Sequence, residues 1–477
     1  MRSFPMVKLS VPFAVGVASA LCFVLPWWLL AAVFLSCGLV ALSLRSGAAL
    51  VGLFFAAGWG VGQFRVPVRS VPSGVCCVWE IDIDGFPAVR GRYARVEGRI
   101  RAWRALAEDV WHPAADRVLL RADSVATLPD GGRIRCVGRL RPLLGGSSAY
   151  RRLSVRRGVA GVLFLSAGSG VEEVPGAGRG LHLRAADRIR RRCSAGDAGA
   201  VVRAMTSGDR SGLTPELRSA YARSGMSHLL AVSGLHTGIV FLLVNWALRW
   251  LALFRRGHLL RDLSAVCAVW SYVAAAGFPP SAVRAAVMCS LLQSAVASGS
   301  EYVASNALAA AAFGMLLWNP AWIADIGFQL SFVAVAAILL WAVPLCRRLH
   351  TGRRAVDFLS GTLVVGLAAS VAAAPLVSHA FGIVPVAGVL LNPVVVPLAG
   401  VAVFCGVLGW FVPGLPAVGE AAAGALNALA RGVASLPGGA VEYALPAWAT
   451  ALCYLFFALA TAVWWRRKSK KSVHLSL

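Results

Sequence analysis

The amino-acid sequence predicts a polytopic α-helical membrane protein with a small β-domain inserted on the outer side of the membrane. Two observations predict the membrane class: 58% of the 477 residues are hydrophobic, and only 14% are charged. Soluble domains carry about 25% charged residues. A third observation predicts the insertion, because the polar, arginine-rich segment 65–195 separates two groups of apolar spans. We expect about 11 transmembrane helices, some of them broken or re-entrant, from the ~17–25 residues that a bilayer requires of each.

The first element, residues 1–64, contains three apolar spans. They cover residues 9–25, 27–44 and 47–64. Basic residues precede the first span and follow the second, so the positive-inside rule places these loops in the cytoplasm. The third span then leaves the cytoplasm, and residues 65–195 are predicted to be external.

The second element, residues 65–195, carries 24 arginines against 12 acidic residues. Short β-patterned runs recur in it, namely "ARVEGRIRAW", "DRVLLRADSV", "GGRIRCVGRL" and "GVAGVLFLSA". The "DGG" at 130–132 predicts a hairpin between two of them. Several short strands with turn residues between them indicate a small barrel or sandwich. The sequence leaves open whether any of its cysteines pair, namely Cys76, Cys77, Cys136 and Cys193.

The net charge of the whole chain is +25, from 46 Lys and Arg against 21 Asp and Glu. Such an excess indicates an anionic partner, either lipid headgroups or nucleic acid. A GC-rich coding bias explains the excess of arginine equally well. The sequence has no CxxC or Cys/His cluster with zinc spacing and no P-loop, so we expect no metal and no cofactor.

The third element, residues 196–467, is a second membrane region, and residues 468–477 form a basic cytoplasmic tail. Spans are predicted near 229–254, 263–278, 281–298, 303–318, 322–345, 356–378, 383–411 and 446–465, with a looser apolar stretch at 416–437. The tail "WWRRKSKKS" joins interfacial tryptophans to a basic stop, which places the carboxyl terminus inside.

Polar residues occur at membrane depth in several of these spans, where each costs several kcal/mol unless a partner or water satisfies it. Thr214, Pro215 and Glu216 predict the start of an amphipathic helix over 215–224. Glycines then predict a broken span, which is tolerated where it lines a cavity. The prolines Pro375, Pro393 and Pro397 are predicted to break later helices. The candidate channel-lining residues are Asp209, Arg210, Ser227, His228, Ser233, Gly234, His236, Arg284, Asp325, Gln329, Ser331, His379 and Asn392.

Three of these residues support more specific hypotheses. His228 and His236 lie eight residues apart and, on an unbroken helix, would be about 80° apart around the axis. They are read as pore or gate residues, with buried packing histidines as the alternative. Arg284 lies about one turn inside a helix that Pro279 and Pro280 begin. It either extends to the membrane interface or faces a channel for an anion, and Asp325 is its candidate partner.

The order of these runs resembles the competence domain of ComEC-type DNA-internalisation proteins. The runs are "GDRSGL", "SHLLAVSGLHTG", "SAVRA", "DIGFQLSF" and "LNPVVVPL". The external segment, with "SSAYRRLSVRRGVAG", is similar to the family's OB-fold-like domain. Many members continue into a metallo-β-lactamase-like nuclease domain. Since the sequence has no HxHxDH cluster, we expect a short form that is not an enzyme.

The resemblance implies an inner-membrane channel for uptake of single-stranded DNA during natural transformation. It also implies an external DNA receptor, a cytoplasmic ATP-driven motor and a separate nuclease as partners. The aromatic residues Trp79, Trp103, Trp111 and Tyr150 are candidate stacking faces for bases, although ordinary core packing is the favoured role for most of them. The DNA-binding candidates are Arg99, Arg101, Arg133, Arg135, Arg139, Arg151 and Arg152.

Two other classes of function fit the same polar spans. One is a small-solute or ion transporter with a polar site at the midplane. The other is an intramembrane enzyme that uses His228, His236 or Asp325. Oligomeric state, pore size, strand polarity and energy source cannot be predicted from the sequence.

Overall fold

The computed structural model describes residues 5–23, 25–44, 47–64, 71–90, 93–123, 128–129, 131–142, 158–166, 169–175, 180–255 and 257–474. Its first three helices are α1 (Pro5–Cys22), α2 (Trp27–Leu44) and α3 (Gly47–Phe64). Helices α1 and α3 approach closely through two glycines. A Cβ on Gly16 would lie 2.1 Å from the Phe55 carbonyl oxygen, and one on Gly58 would lie 2.1 Å from the Phe13 carbonyl oxygen. Small residues of this kind allow helix backbones to pack closely in a membrane.

A β-barrel follows α3. Its strands are β1 (Cys76–Ile83), β2 (Ala88–Arg90), β3 (Tyr93–Ala105), β4 (His112–Pro113), β5 (Arg117–Ala122), β6 (Gly132–Arg141), β7 (Val159–Leu165) and β8 (Glu172–Glu173). The five long strands close in the order β1-β3-β5-β7-β6-β1, and β5 and β7 are parallel. Alternate residues of each strand point inward, and Trp79, Ile100, Leu120, Ile134 and Leu163 form much of the core.

The predicted strand runs are all present, but the predicted hairpin at "DGG" is wrong. Strand β7 lies between β5 and β6 and pairs with both, so the two strands that flank "DGG" do not pair with each other. Gly131 and Gly132 do adopt positive φ angles of 78° and 103°. The two glycines therefore form a turn at the start of β6, but β6 then pairs with β1 and not with β5.

The remaining helices form the second membrane region. They are α4 (Leu181–Arg190), α5 (Asp197–Ser207), α6 (Pro215–Arg223), α7 (Gly234–Ala247), α8 (Gly257–Ala275), α9 (Pro280–Ala297), α10 (Ala304–Trp318), α11 (Ile326–Ala337), α12 (Val343–Leu349), α13 (Arg354–Phe381), α14 (Asn392–Leu408), α15 (Leu415–Ala434) and α16 (Ala447–His474). The short pair β9 (Ile383–Pro385) and β10 (Ala440–Glu442) is antiparallel. A π-helical turn, Ile338–Ala342, joins α11 to α12.

Seven helices of the described chain are long and apolar enough to cross a membrane, and three shorter helices are apolar. The seven are Pro5–Cys22, Gly47–Phe64, Pro280–Ala297, Ile326–Leu349, Arg354–Phe381, Ala387–Leu408 and Ala447–Trp465. The architecture is therefore that of a polytopic helical membrane protein with an inserted β-barrel. Helix α15, the looser apolar stretch, is instead amphipathic and packs against α5, α6 and α14.

Two of the predicted helix breaks are wrong. Pro375 lies inside the continuous helix α13, and Pro397 lies inside α14. Neighbouring helices and local adjustment can satisfy the backbone carbonyl that an internal proline leaves free in a membrane helix. Pro393 instead stands in the first turn of α14, where a missing N–H costs nothing.

Candidate functional site

The stretch between α6 and α7 is broken as its glycines and serines predict. Helix α6 begins where predicted, because the Thr214 hydroxyl accepts a hydrogen bond of 3.2 Å from the Leu217 amide. After α6, a 3₁₀ turn covers Ser227–Leu230 and gives way to extended backbone at Ala231. Ser233 then caps α7. The break therefore contains the amino-terminal end of helix α7, and with it the positive end of the helix dipole, at the half-buried residues Ser233 and Gly234.

The break separates the two histidines that the sequence places eight residues apart. His228 is exposed within the 3₁₀ turn, and its Nδ1 lies 3.1 Å from the Gly225 carbonyl oxygen. His236 is fully buried, and its Nδ1 accepts a hydrogen bond of 3.2 Å from the Ser233 amide. The 80° relation of an unbroken helix does not apply, because two different backbone elements carry the rings.

Arg284 of α9 is buried, with 6% of its surface exposed. Its Nη1 donates to the Ser331 carbonyl of α11, and its guanidinium lies 5.7 Å from the ring centroid of Phe332. Its Nη2 would lie 2.7 Å from a Cβ on Gly234, the first residue of α7. Arg284 therefore lies where α7, α9 and α11 meet, and from its own run, "SAVRA", it reaches two of the other predicted runs.

Asp325, the candidate partner of Arg284, is the N-cap of α11. Its carboxylate accepts a hydrogen bond of 3.0 Å from the Phe328 amide. One turn later, Gln329 donates through Nε2 to the Ile323 carbonyl at 2.8 Å. These bonds stabilise the start of α11, which positions the Ser331 carbonyl that Arg284 binds.

The loop after α5 connects to the same break. Asp209 is buried, and its carboxylate accepts hydrogen bonds from the amide and the hydroxyl of Ser211 at 3.0 and 2.6 Å. Arg210 donates through Nε to the Leu230 carbonyl at 2.9 Å, at the end of the 3₁₀ turn. Buried Arg203, which the sequence did not single out, lies with its Nε 3.8 Å from Asp209. The loop therefore holds the end of the 3₁₀ turn in place through the hydrogen bond from Arg210 to Leu230.

His379 and Asn392 have partners in another part of the bundle. His379 is exposed, and its Nδ1 lies 2.8 Å from the Leu445 carbonyl oxygen that precedes α16. Asn392 begins α14 and packs so tightly on α13 that a Cβ on Gly366 would lie 2.0 Å from its Nδ2. These two residues join α13 to α14 and α16, whereas Arg284 joins α7, α9 and α11.

The sequence missed one buried polar pair between α8 and α9. Gln293 donates to the carboxylate of Asp262, which also accepts from Arg261 at 3.0 Å. Nearby, the Trp270 indole donates to the Ser290 hydroxyl at 3.1 Å. The predicted span began at residue 263, so Asp262 fell in a loop, but α8 begins six residues earlier at Gly257. Charged residues in the first turns of a span hide its true start from hydropathy.

In the barrel, three of the predicted DNA-binding arginines hold carboxylates. Asp82 accepts from Arg101 at 2.5 Å and from Arg133 at 2.7 Å, and Glu80 accepts from Arg135 at 2.6 Å. Partial burial opposes ionisation of Asp82, but the hydrogen bonds from Arg133 and Arg101 outweigh it and lower the pKa of Asp82. Arg99 and Arg139 are exposed, while Arg151 and Arg152 lie outside the described residues.

The predicted stacking aromatics of the barrel are mostly engaged. Trp79 is fully buried in the core and donates to the Gly138 carbonyl at 2.8 Å, so it offers no stacking face. Trp103 stacks on His112 with ring centroids 4.5 Å apart. Trp111 lies under the guanidinium groups of Arg104 and Arg135. Tyr150 lies outside the described residues.

No metal site and no disulfide are found in the described residues. All four cysteines of the barrel region, namely Cys76, Cys77, Cys136 and Cys193, are free thiols. Burial raises the pKa of Cys136 to about 12, so this thiol is inert at neutral pH. Within the described chain, no three His, Cys, Asp or Glu side chains are grouped to hold a metal ion.

Comparison with known proteins identifies the second membrane region. The sequence model of the family "Competence protein" matches residues 205–468, more than half of the chain. ComE operon protein 3 of Bacillus subtilis (strain 168) is 28% identical over 201 residues, which cover 42% of this chain and 25% of that protein. Competence protein ComA of Neisseria gonorrhoeae is 34% identical over 226 residues, 45% of this chain and 31% of that protein.

A third relative is the uncharacterized protein YcaI of Escherichia coli (strain K12), 26% identical over 146 residues. That alignment covers 30% of this chain and 19% of YcaI. The chain thus spans less than a third of the length of each of these relatives. No solved structure gives a significant match.

Proposed function

Because this chain belongs to the competence protein family, we propose that it is a channel that admits single-stranded DNA through the inner membrane during natural transformation. The observation that carries this proposal is the meeting of α7, α9 and α11 at Arg284, inside the region that matches the family. The buried guanidinium of Arg284 lies beside the amino-terminal end of α7. Both favour a negatively charged group such as a backbone phosphate.

The proposed orientation follows from charge. Four arginines surround the junction of α12 and α13, namely Arg347, Arg348, Arg353 and Arg354, and residues 468–477 are also basic. The positive-inside rule assigns both to the cytoplasm. The same rule assigns the barrel, which follows three amino-terminal spans, to the periplasmic side. The domain limits that we propose are 1–64, 65–195, 196–467 and 468–477.

The barrel is proposed to be an OB-fold-like receptor for the incoming strand. Support comes from its strand order, in which the third and fifth strands of a closed five-stranded barrel run parallel. OB-folds bind single strands by combining a basic groove with stacking surfaces. The arginine excess of residues 65–195 supplies the charge.

Import requires work that the proposed channel itself does not supply. An inside-negative potential opposes each phosphate by about 2.3 kcal/mol per 100 mV. The sequence has no P-loop, so we assign the motor to a separate cytoplasmic protein. An external DNA receptor and a separate nuclease complete the proposed set of partners, and we assign no catalytic step to the described residues.

Voltage supplies a direct test. The purified chain is incorporated into a planar bilayer, and a labelled oligonucleotide is added on the barrel side with the opposite side held positive. We expect transient current blockades by single-stranded oligonucleotide, appearance of label on the far side, and neither effect with blunt duplex. Passage of small anions without any DNA blockade would overturn the proposal and favour the small-solute transporter.

A further inference from the structure

An exposed aromatic pair lies on the outer face of the barrel between two arginines. Tyr93 of β3 and Phe164 of β7 are 37% and 39% exposed, and their ring centroids are 6.4 Å apart in an edge-to-face arrangement. The guanidinium carbons of Arg121 and Arg141 lie 5.7 and 5.5 Å from the Phe164 ring centroid. We call these four residues the Phe164 surface.

The charge of the Phe164 surface is not compensated as it is elsewhere on the barrel. Arg101, Arg133 and Arg135 each hold a carboxylate of β1. Arg121 and Arg141 form no ion pair with a carboxylate in the part of the chain that the structure describes. Arg121 and Arg141 therefore attract an external anion more strongly than the ion-paired arginines Arg101, Arg133 and Arg135 do.

The strand register adds like charges to the same face. Arg95 of β3 lies directly opposite Arg121 of β5, and Arg99 lies directly opposite Arg117. Glu97 is exposed on β3 between Arg95 and Arg99, so this face carries four arginines and one acidic residue in these two strands. The excess of positive charge favours an anionic ligand.

We propose that the Phe164 surface is where the barrel binds single-stranded DNA, an inference that rests on the proposed function and locates its external step. Exposed rings and guanidinium planes are stacking partners for unpaired bases, and the arginines contact the flanking phosphates. Duplex DNA cannot use the rings, because its bases are already stacked on one another.

The composition of this face favours DNA over a lipid surface. The apolar neighbours Leu119 and Val162 lie two residues from Arg121 and Phe164 on the same face, but they are only 4% and 6% exposed. A protein face that inserts into the headgroup region needs exposed aliphatic area. The Phe164 surface instead combines two arginines with one aromatic pair and little exposed aliphatic area.

Charge-matched variants of the full chain test the proposal. Arg121→Gln/Arg141→Gln removes two positive charges from the Phe164 surface. The control Arg101→Gln/Arg135→Gln removes two positive charges that are paired with Asp82 and Glu80. Each is placed in phosphatidylcholine nanodiscs and titrated with 5′-labelled oligothymidine by fluorescence anisotropy at several salt concentrations.

We expect Arg121→Gln/Arg141→Gln to weaken binding and to reduce the slope of log K against log salt by about 1.4, since each phosphate contact contributes about 0.7 for single strands. The control should stay within about twofold of wild type, because Arg101 and Arg135 are already paired with carboxylates. Phe164→Leu, which keeps the charge, should weaken binding by roughly 5- to 150-fold without changing the slope, which corresponds to the loss of one stacked base.

Four results have distinct meanings. If the control weakens binding as much as Arg121→Gln/Arg141→Gln does, bulk charge explains the binding and the Phe164 surface is overturned. The surface is also overturned if the variant keeps DNA binding but loses binding to phosphatidylglycerol vesicles, because its ligand is then lipid. If wild type binds no oligothymidine even at low salt, the proposed receptor role of the barrel fails together with its location. Wild-type binding with unchanged variants overturns the location alone.

Discussion

Replacing Gly234 with alanine tests whether Arg284 is fixed at the junction of α7, α9 and α11. The new Cβ would lie 2.7 Å from Nη2 of Arg284, whereas carbon contacts are comfortable from about 3.5 Å. A guanidinium at the end of a long side chain could normally move aside. Here Nη1 is bound to the Ser331 carbonyl and the side chain is buried, so the movement weakens that bond.

Gly238→Ala is the matched control, one turn further along the same helix. A Cβ on Gly238 meets no atom within 4 Å. Both substitutions gain up to about 1 kcal/mol of helix propensity. Only Gly234→Ala gives up a hydrogen bond to a charged group, which contributes about 1.5–3 kcal/mol. The net expectation is a destabilisation of roughly 0.5–2 kcal/mol for Gly234→Ala and a small stabilisation for Gly238→Ala.

Thermal unfolding of both variants in the same detergent measures this difference, and DNA blockades in a planar bilayer measure its effect on function. We expect Gly234→Ala to unfold at a lower temperature than wild type and to give fewer blockades. Gly238→Ala should unfold at or above the wild-type temperature and conduct normally. Equal unfolding temperatures for the two variants would refute the argument, because Arg284 would then be free to move.

Three further predictions concern other parts of the chain. Because the folded-state pKa of Asp82 is lowered, its ion pairs stabilise the barrel above about pH 3.9, and this stabilisation is lost as the pH falls through the folded-state pKa. Hydrogen exchange should show that Asp82→Asn removes this acid sensitivity of the barrel. An unchanged acid response of the variant would contradict the prediction. Gly58→Ala places a Cβ 2.1 Å from a backbone carbonyl of α1 and should cost about 1–3 kcal/mol, whereas Gly60→Ala, with nothing nearer than 4.0 Å, should not; their unfolding temperatures distinguish them. Tyr221 donates to Asn427 at 2.8 Å between α6 and α15, so a double-mutant cycle of Tyr221→Phe and Asn427→Ala should give a coupling of about 1 kcal/mol; additive effects would exclude the bond.

Local patterns predicted the elements of the barrel well, because alternation of apolar and polar residues is a property of each strand alone. The four β-patterned runs all correspond to strands. Strand β1, "CCVWEIDI", was missed although turn residues flank it, namely Pro72, Ser73 and Gly74 before it and Asp84, Gly85 and Pro87 after it. Its two carboxylates interrupt the apolar run. The insertion of β7 between β5 and β6 is a pairing distant in sequence, and no local pattern records it.

The candidate site was predicted in composition but not in geometry. The break before α7 follows from its glycines and serines, and the buried Arg284 follows from its apolar neighbours. The Ser331 carbonyl could not be foreseen as the partner of Arg284, because every residue has a carbonyl and only packing selects one. For the same reason the sequence predicted many DNA-binding arginines but could not tell those paired with Asp82 or Glu80 from the others.

The closure of the barrel restricts how any other protein can recognise it. Strands β1, β3 and β5 each pair with long strands on both sides, whereas β6 and β7 pair with each other only at Leu140–Leu163 and Arg141–Val162. An extended peptide therefore cannot join β1, β3 or β5 as an additional strand, which is a common way for proteins to bind one another. These three strands also present no template on which sheets from neighbouring molecules could aggregate. Another molecule must therefore recognise this part of the barrel through its side chains, where point substitutions can test each contact.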